Sequence, residues 1–148
     1  MSSRIFVDTN VFIYARDNRF PQKQVVARNW LAQITARELV VVSPQVIGEL
    51  HNVASKGKLR ASEAASHLST TALEVWSTGQ TDLDLLTLAW DVRQRTGFQW
   101  WDCVILAAAI TADCRYLLSE DYQHDRTVDG VTIISPFKTS PADVLPPH

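Results

Sequence analysis

The sequence has few cysteines, few glycines and prolines, and no long apolar run. Two cysteines, Cys103 and Cys114, are too few for a disulfide framework or a typical zinc site, and both suit small buried positions in a reducing compartment. Five glycines and six prolines exclude a collagen-like repeat. The uncharged stretch 103–112 is far shorter than the roughly 20 residues that span a bilayer, and Asp8 interrupts the N-terminal apolar run. We therefore expect a cytoplasmic protein without a membrane segment.

The chain also has no excess of positive charge. Fourteen lysines and arginines stand against sixteen acidic residues, which gives a formal net charge of −2. A polyanion would therefore have to bind at a local basic patch. Apolar residues make up 46% of the 148 residues and charged residues 20%, which is typical of a folded protein and speaks against disorder. We expect a single domain over 1–148, with a proline-rich tail at 139–148 that is loose or docked on the surface.

Short apolar runs alternate with helical patterns, which predicts an α/β fold. The candidate strands are 5–7, 39–42, 72–76, 116–118 and 131–134. The second is continuously apolar and β-branched, which favours a central parallel strand buried on both faces. The candidate helices are 10–16, 22–36, one that starts at Ser43-Pro44 and ends at Gly57, 62–68, 82–95 and 101–112. Right-handed crossovers then give a three-layer α/β/α sandwich around a parallel sheet of about five strands.

Four acidic residues are predicted to meet at the carboxyl edge of this sheet. Asp8 follows the first strand and Asp121 follows the fourth, so both lie on one rim if these strands are neighbours. Glu49 lies early in the helix after the second strand, and Asp102 lies in the first turn of a helix that runs back to the fourth strand. Taken singly, each has an ordinary explanation as a turn residue, a helix cap or part of an exposed face. Their convergence depends on the predicted topology.

Crowded carboxylates repel one another and raise each other's pKa, and a divalent cation removes that cost. Ligand sets made only of oxygen favour Mg²⁺ or Mn²⁺ over zinc. Such an ion can turn water into a nucleophile and neutralise the charge that develops on a phosphodiester, and a pair of ions ~3.5–4 Å apart could stabilise both the attacking and the leaving oxygen. The four acids therefore predict a metal site suited to phosphodiester chemistry.

The segments that hold these acids resemble the PIN-domain family, in particular the VapC-type toxins of bacterial and archaeal toxin–antitoxin pairs. The matching segments are 6–11 (FVDTNV), 46–50 (VIGEL), 101–109 (WDCVILAAA), 117–124 (LLSEDYQH) and 131–137 (VTIISPF). They follow the family's order and spacing and cover nearly the whole chain. Two departures leave the acids intact, because Cys103 stands where alanine is usual and Asp125-Arg126 stands where the loop carries a glycine.

This resemblance implies a Mg²⁺- or Mn²⁺-dependent ribonuclease. Its metal ligands and catalytic acids would be Asp8, Glu49, Asp102 and Asp121. Asn10 and Ser119 match positions that support the metal site. Asn10 could hydrogen-bond Asp8 or an incoming phosphate, and the Ser119 hydroxyl could fix a carboxylate or a metal-bound water, although ordinary turn chemistry also explains both residues.

The family also implies partners. A small cognate antitoxin usually neutralises such a toxin by placing its tail in the active-site groove, often with a basic side chain that reaches the carboxylates. The toxins commonly form homodimers. In this chain the helices 22–36 and 43–54 carry apolar residues that a core and an interface could share, among them Val25, Trp30 and Val53.

Several basic and aromatic residues are candidates for RNA contact. Two basic groups could flank the acids and hold phosphates on either side of the cut, although a solvated surface is the more common explanation of such groups. They are Arg16, Arg19 and Lys23, and Lys56, Lys58 and Arg60. Trp100 and Trp101 directly precede Asp102. One of the two rings could stack on an unpaired base, although packing in the core is more common.

Two other functions are compatible with parts of this pattern. A haloacid-dehalogenase-like phosphatase also begins with a strand that ends in Asp, but its second Asp would fall at Asn10, and its later lysine is missing because 96–137 contains none. The other alternative is a catalytically inactive PIN-like module that only binds RNA or protein. Such a module would gain little from keeping four mutually repulsive acids.

Overall fold

The structure is a computed structural model, and it describes residues 3–56 and 69–147. The predicted helix 62–68 and the predicted helix stop at Gly57 lie outside these residues. Within them, the helices are α1 (Thr9–Arg16), α2 (Pro21–Ala36), α3 (Pro44–Ser55), α4 (Leu83–Thr96), α5 (Trp100–Thr111) and α6 (Pro141–Val144). The strands are β1 (Ile5–Val7), β2 (Val40–Val41), β3 (Tyr116–Leu118), β4 (Thr127–Val128) and β5 (Val131–Ile134).

These strands form one five-stranded sheet in the order β2-β1-β3-β5-β4. The β1, β2, β3 and β5 strands are parallel, and β4 pairs antiparallel with β5. The predicted α/β sandwich is therefore confirmed, with a mainly parallel sheet. Because β1 and β3 are neighbours, the chain segments that follow them leave the sheet side by side. This pairing brings the residues after Val7 next to the residues after Leu118.

The helix boundaries follow local chemistry. The Asp82 carboxylate accepts a hydrogen bond from the Leu85 backbone amide at 3.0 Å and so caps the start of α4. Gly97 ends this helix in the left-handed region, with φ +74, where glycine carries no steric penalty. None of the helices described is long and apolar enough to cross a membrane. Both cysteine thiols are free and buried.

Three details of the predicted sheet are wrong. The apolar run 39–42 contributes β2, which is an edge strand of the sheet and does not lie at its centre. Residues Ala72–Trp76 form a short 3₁₀ helix in which Val75 is 77% exposed, and only Ser77 beyond them makes a parallel bridge, to Val42. Asp121 consequently follows the third strand. The two-residue strand β4 was not predicted.

The C-terminal tail lies against the domain over its described length. Leu145 is buried, and the Arg37 guanidinium donates a hydrogen bond to the Pro146 carbonyl at 2.5 Å. Further upstream, the indole of the fully buried Trp30 lies within 3.1 Å of the carbonyl oxygens of Pro136 and Thr139, and its Nε1–H donates to them. Helix α2 thus holds the chain that follows β5.

Ser43 occupies the predicted N-cap position before α3, but its side chain makes no capping hydrogen bond. Its Oγ atom is buried without a hydrogen-bond partner among residues 3–56 and 69–147. A buried unpaired hydroxyl costs about 1–3 kcal/mol. We expect Ser43→Ala to raise the free energy of unfolding by about 1 kcal/mol in urea titrations. Asp82→Ala removes a cap that is made, so it should lower the same quantity by about 1 kcal/mol; a loss of stability in both variants would contradict the prediction.

Candidate active site

Asp8 is buried at the carboxyl end of β1, where only 5% of the residue is exposed. Its Oδ1 accepts a hydrogen bond from the Thr9 backbone amide at 2.8 Å, and its Oδ2 accepts one from the Ser119 hydroxyl at 2.7 Å. Burial raises the pKa of Asp8 from 3.8 to about 7, because a buried charge loses its hydration. The two hydrogen bonds act against this rise, and the charges of Glu49 and Asp121 add to it. A cation next to Asp8 would therefore stabilise the ionised form.

A hydrogen-bond network joins the ends of β1 and β3. The Ser119 hydroxyl, which donates to Asp8, accepts hydrogen bonds from the Asn10 side-chain amide at 3.1 Å and from the Asp121 backbone amide at 3.2 Å. The Asn10 Oδ1 atom in turn accepts one from the Glu120 backbone amide at 3.3 Å. Asn10 and Ser119 thus hold the segment 119–121 beside Asp8. This placement follows directly from the pairing of the two strands.

Glu49 reaches the same edge from α3. Its Oε2 accepts a hydrogen bond from the Thr9 hydroxyl at 2.5 Å, and its Oε1 accepts one from the Gln45 amide at 2.8 Å. Thr9 therefore connects two acids, since its backbone amide binds Asp8 while its hydroxyl binds Glu49. The sequence interpretation missed Thr9 and Gln45. Their positions offered a signal, because Thr9 follows Asp8 directly and Gln45 lies one helical turn before Glu49.

Asp102 and Asp121 lie on a cleft of about 490 Å³ beside the edge. Asp102 is half-buried in the first turn of α5, and the Tyr122 hydroxyl donates a hydrogen bond to its backbone carbonyl at 2.7 Å. Burial raises the pKa of Asp102, and the negative charges of Asp121 and Glu49 raise it further. Four acids from four separate segments thus influence one another electrostatically.

The donor chemistry of these acids fits a hard divalent cation, because every candidate ligand is a carboxylate oxygen. Burial is the main cause of the raised pKa values of Asp8 and Asp102, and the negative charges of neighbouring acids add to it; a cation would relieve both effects. In the described ranges, no three acidic, histidine or cysteine side chains are yet close enough to hold one ion. A bound ion would therefore have to draw the carboxylates closer together than they lie in this structure.

Two of the predicted RNA contacts already have acidic partners within the chain. The Arg19 guanidinium pairs with the buried Asp17 carboxylate at 2.8 Å. The Lys23 ammonium pairs with Glu120 at 2.5 Å and lies 4.6 Å from the centroid of the Tyr14 ring. Each of these cations is therefore engaged with a counter-ion and is less available to a phosphate. Lys23 instead helps to hold the segment that carries Asp121.

The other predicted basic contacts are distributed differently. The half-buried Arg16 donates a hydrogen bond to the hydroxyl of Thr70, which is fully buried, at 2.8 Å. Lys56 is the C-cap residue of α3, beyond Glu49. Lys58 and Arg60 lie outside the described residues, so Lys56 is the one member of the second basic group that the structure describes.

The two tryptophans before Asp102 differ in exposure. Trp100 is half-buried between Trp90 and Trp101, with ring centroids 6.4 Å away on each side. Trp101 is 63% exposed. The interpretation as core packing therefore suits Trp100 in part and is wrong for Trp101, which is largely exposed beside Asp102.

The PIN domain family model matches residues 5–129, and the chain belongs to the PIN domain family. The resemblance found in the sequence is thereby confirmed. The matched range includes all four acids and both ends of the network between Asn10 and Ser119. No curated protein sequence matches the chain.

Solved toxin–antitoxin structures share this fold. VapBC2 from Rickettsia felis, bound to a DNA fragment from its promoter, is 16% identical with a TM-score of 0.63, over 88% of this chain and 97% of that chain. A toxin–antitoxin complex from Klebsiella pneumoniae is 21% identical with a TM-score of 0.60, over 90% and 98% of the two chains. VapC20 from Mycobacterium tuberculosis, a toxin that cleaves the sarcin–ricin loop, is 17% identical with a TM-score of 0.56, over 76% and 86%.

Proposed function

We propose that this chain is an endoribonuclease toxin of a VapC-type toxin–antitoxin pair that hydrolyses RNA with Mg²⁺ or Mn²⁺. The observation that carries the proposal is the arrangement at Asp8, a carboxylate that is buried without a basic partner among the described residues and lies within electrostatic reach of further acids. Such a cluster is costly in a protein that only binds, and a divalent cation turns the cost into affinity.

In this proposal the metal ligands are Asp8, Glu49, Asp102 and Asp121. A bound ion would activate water and neutralise the negative charge that develops on the cleaved phosphodiester. The chain's own residues prepare the ligands. Ser119 orients the Asp8 carboxylate, and Thr9 and Gln45 orient that of Glu49. Such supporting contacts fix ligand geometry before the ion binds.

Removal of metal gives the direct test of this function. The purified protein, free of any antitoxin, should cleave RNA in Mg²⁺ or Mn²⁺, lose activity in excess EDTA, and regain it when excess metal is restored. Cleavage is followed on a fluorogenic oligoribonucleotide and on total RNA. Activity that persists in EDTA would contradict a metal mechanism. Retained RNA binding without any cleavage would instead favour an inactive PIN-like module.

The proposal includes a small cognate antitoxin and a homodimer, and it places the reaction in the cytoplasm, where RNA is accessible. The structure separates the apolar residues that a core and an interface could share: Trp30 is fully buried, whereas Val25 is 68% exposed and Val53 is half-buried. Val25 is therefore the better candidate for an interface. Light scattering measures the oligomeric state, and the reading frame upstream of the gene reveals whether a small antitoxin is encoded there.

A further inference from the structure

The cleft next to the acids has one wall that is not acidic. Asp102 and Asp121 line one part of this cleft, and the remainder is lined by Gly97, Phe98, Gln99, Tyr122 and Gln123. Phe98 and Tyr122 contact each other edge to face, with centroids 5.5 Å apart. Since the Tyr122 hydroxyl also binds the Asp102 carbonyl, this aromatic wall is connected rigidly to the candidate active site.

Arg126 places a positive charge beside this wall, against the Phe98 ring. Its guanidinium carbon lies 4.9 Å from the centroid of the Phe98 ring, and the residue is half-buried. Over the described part of the chain, its guanidinium has no acidic partner, in contrast to Arg19, Lys23 and Arg95. Stacking on the ring holds the cation in place and leaves its N–H donors available. A half-buried arginine in this state suits an anionic ligand, and a phosphate matches its paired donors.

Two amide side chains complete the cleft. Gln99 and Gln123 are exposed on its lining, and neither side-chain amide makes a hydrogen bond within the residues that the structure describes. An amide offers both donors and an acceptor, which is the combination that reads the edge of an unpaired base. Groups suited to a phosphate and groups suited to a base edge therefore lie near one another beside the acids.

We propose that this cleft binds the nucleotide next to the cleaved phosphate, with Arg126 on its phosphate and Gln99 and Gln123 on the edge of its base. This inference rests on the proposed ribonuclease function and adds a substrate subsite to it. RNA is favoured over a polypeptide occupant, because a peptide that neutralised the acids would carry positive charge, and Arg126 would repel it.

Arg126→Gln tests the phosphate contact. We expect KM for a short single-stranded oligoribonucleotide to rise about tenfold, with a much smaller change in kcat, and the logarithmic salt dependence of kcat/KM to weaken by about one unit. Arg126→Lys should keep most of the salt dependence, because it retains the charge. Arg115→Gln is the matched control: Arg115 also stacks on an aromatic ring, that of Tyr116, but at the start of β3 on the opposite edge of the sheet.

The base contacts are tested by sequencing the products of a randomised RNA. Gln99→Ala and Gln123→Ala should change the base preference at one position next to the cut. Gln94→Ala replaces an exposed glutamine in the last turn of α4 that does not line the cleft, and it should leave the preference unchanged. Circular dichroism melting of each variant checks that it is folded.

The outcomes separate this subsite from the function on which it rests. If wild-type cleavage requires metal but Arg126→Gln behaves like Arg115→Gln, the subsite is wrong and the ribonuclease stands. Loss of affinity for a purified antitoxin peptide, without a change in KM for RNA, would also overturn the subsite and assign the cleft to the peptide. If the wild-type protein does not cleave RNA in any metal, both proposals fail.

Discussion

Asp8→Asn should abolish RNA cleavage, with a fall in kcat/KM of roughly 10³-fold or more. Asparagine keeps the shape of the side chain and the acceptor for the Thr9 amide, but it removes the charge that lies deepest in the acidic cluster. The proposed cation would lose its central ligand. The measurement is cleavage of a fluorogenic RNA over a range of Mg²⁺ concentrations, together with growth arrest on expression.

Asp125→Asn is the matched control for this prediction. Asp125 lies in the loop after Asp121, and its φ of +66 is one that asparagine tolerates well. Its carboxylate is 3.3 Å from the His124 imidazole, and the residue does not line the cleft. This variant should therefore retain cleavage. Equal activity of Asp8→Asn and the wild-type protein would show that the active site lies elsewhere.

In the absence of metal, Asp8→Asn should increase the stability of the protein, although it should abolish cleavage. The pKa of Asp8 rises from 3.8 to about 7 on folding, so the folded state binds its proton more tightly than the unfolded chain. Asp8 therefore contributes stability that is fully present below pH 3.8, is lost as the pH rises to about 7, and is absent above it. In EDTA near pH 8, urea titration should find Asp8→Asn more stable than the wild-type protein, and Mg²⁺ should stabilise only the latter.

Trp30→Ala should cause the largest loss of stability, about 3–5 kcal/mol in the free energy of unfolding. The indole is fully buried in the core, and its loss would also leave the Pro136 and Thr139 carbonyls without their donor. Trp30→Phe keeps most of the apolar contact and should cost less. Urea titration measures both variants.

Trp90→Ala is the control for the size of the side chain. Trp90 is 58% exposed on α4, so its removal should change the free energy of unfolding by much less than that of Trp30. Similar losses in the two variants would show that the buried position of Trp30 does not determine its contribution.

The sequence predicted those parts of the fold that local pattern and chain topology decide together. The apolar runs 5–7, 116–118 and 131–134 form strands, as predicted. The first two were expected to be neighbours, and their pairing places Asp8 beside segment 119–121. The prediction of a strand at 72–76 is wrong because its apolar and aromatic residues suit a strand, whereas the bridge found beside it in the described residues joins Ser77 to Val42. Propensity cannot reveal whether a pairing partner is available.

The strand β4 is too short for any periodicity, although the turn Asp129-Gly130 after it carries a hairpin signal. Both turn residues have positive φ, +48 and +85, as such a turn requires. Side-chain partners were equally invisible in sequence. The pairing of Lys23 with Glu120 joins residues 97 positions apart, and it converts a predicted RNA contact into a support for the active-site segment.

In the sequence, the departure Asp125-Arg126 amounts only to the absence of a glycine. In three dimensions it supplies the cation on the Phe98 ring, which no local pattern connects with Asp102. A residue that departs from the family pattern can thus give this chain a feature of its own.

Both edges of the sheet offer few free backbone hydrogen-bonding groups among the described residues. On one side, Val42 exchanges hydrogen bonds with Trp76 and Thr78, so a non-strand segment occupies the place beside β2. On the other side, β4 is only two residues long. The Arg95 guanidinium donates two hydrogen bonds, at 2.7 and 2.9 Å, to the carboxylate of Asp129, which follows β4 directly. Strand addition by another polypeptide, and aggregation through exposed margins, are therefore both disfavoured.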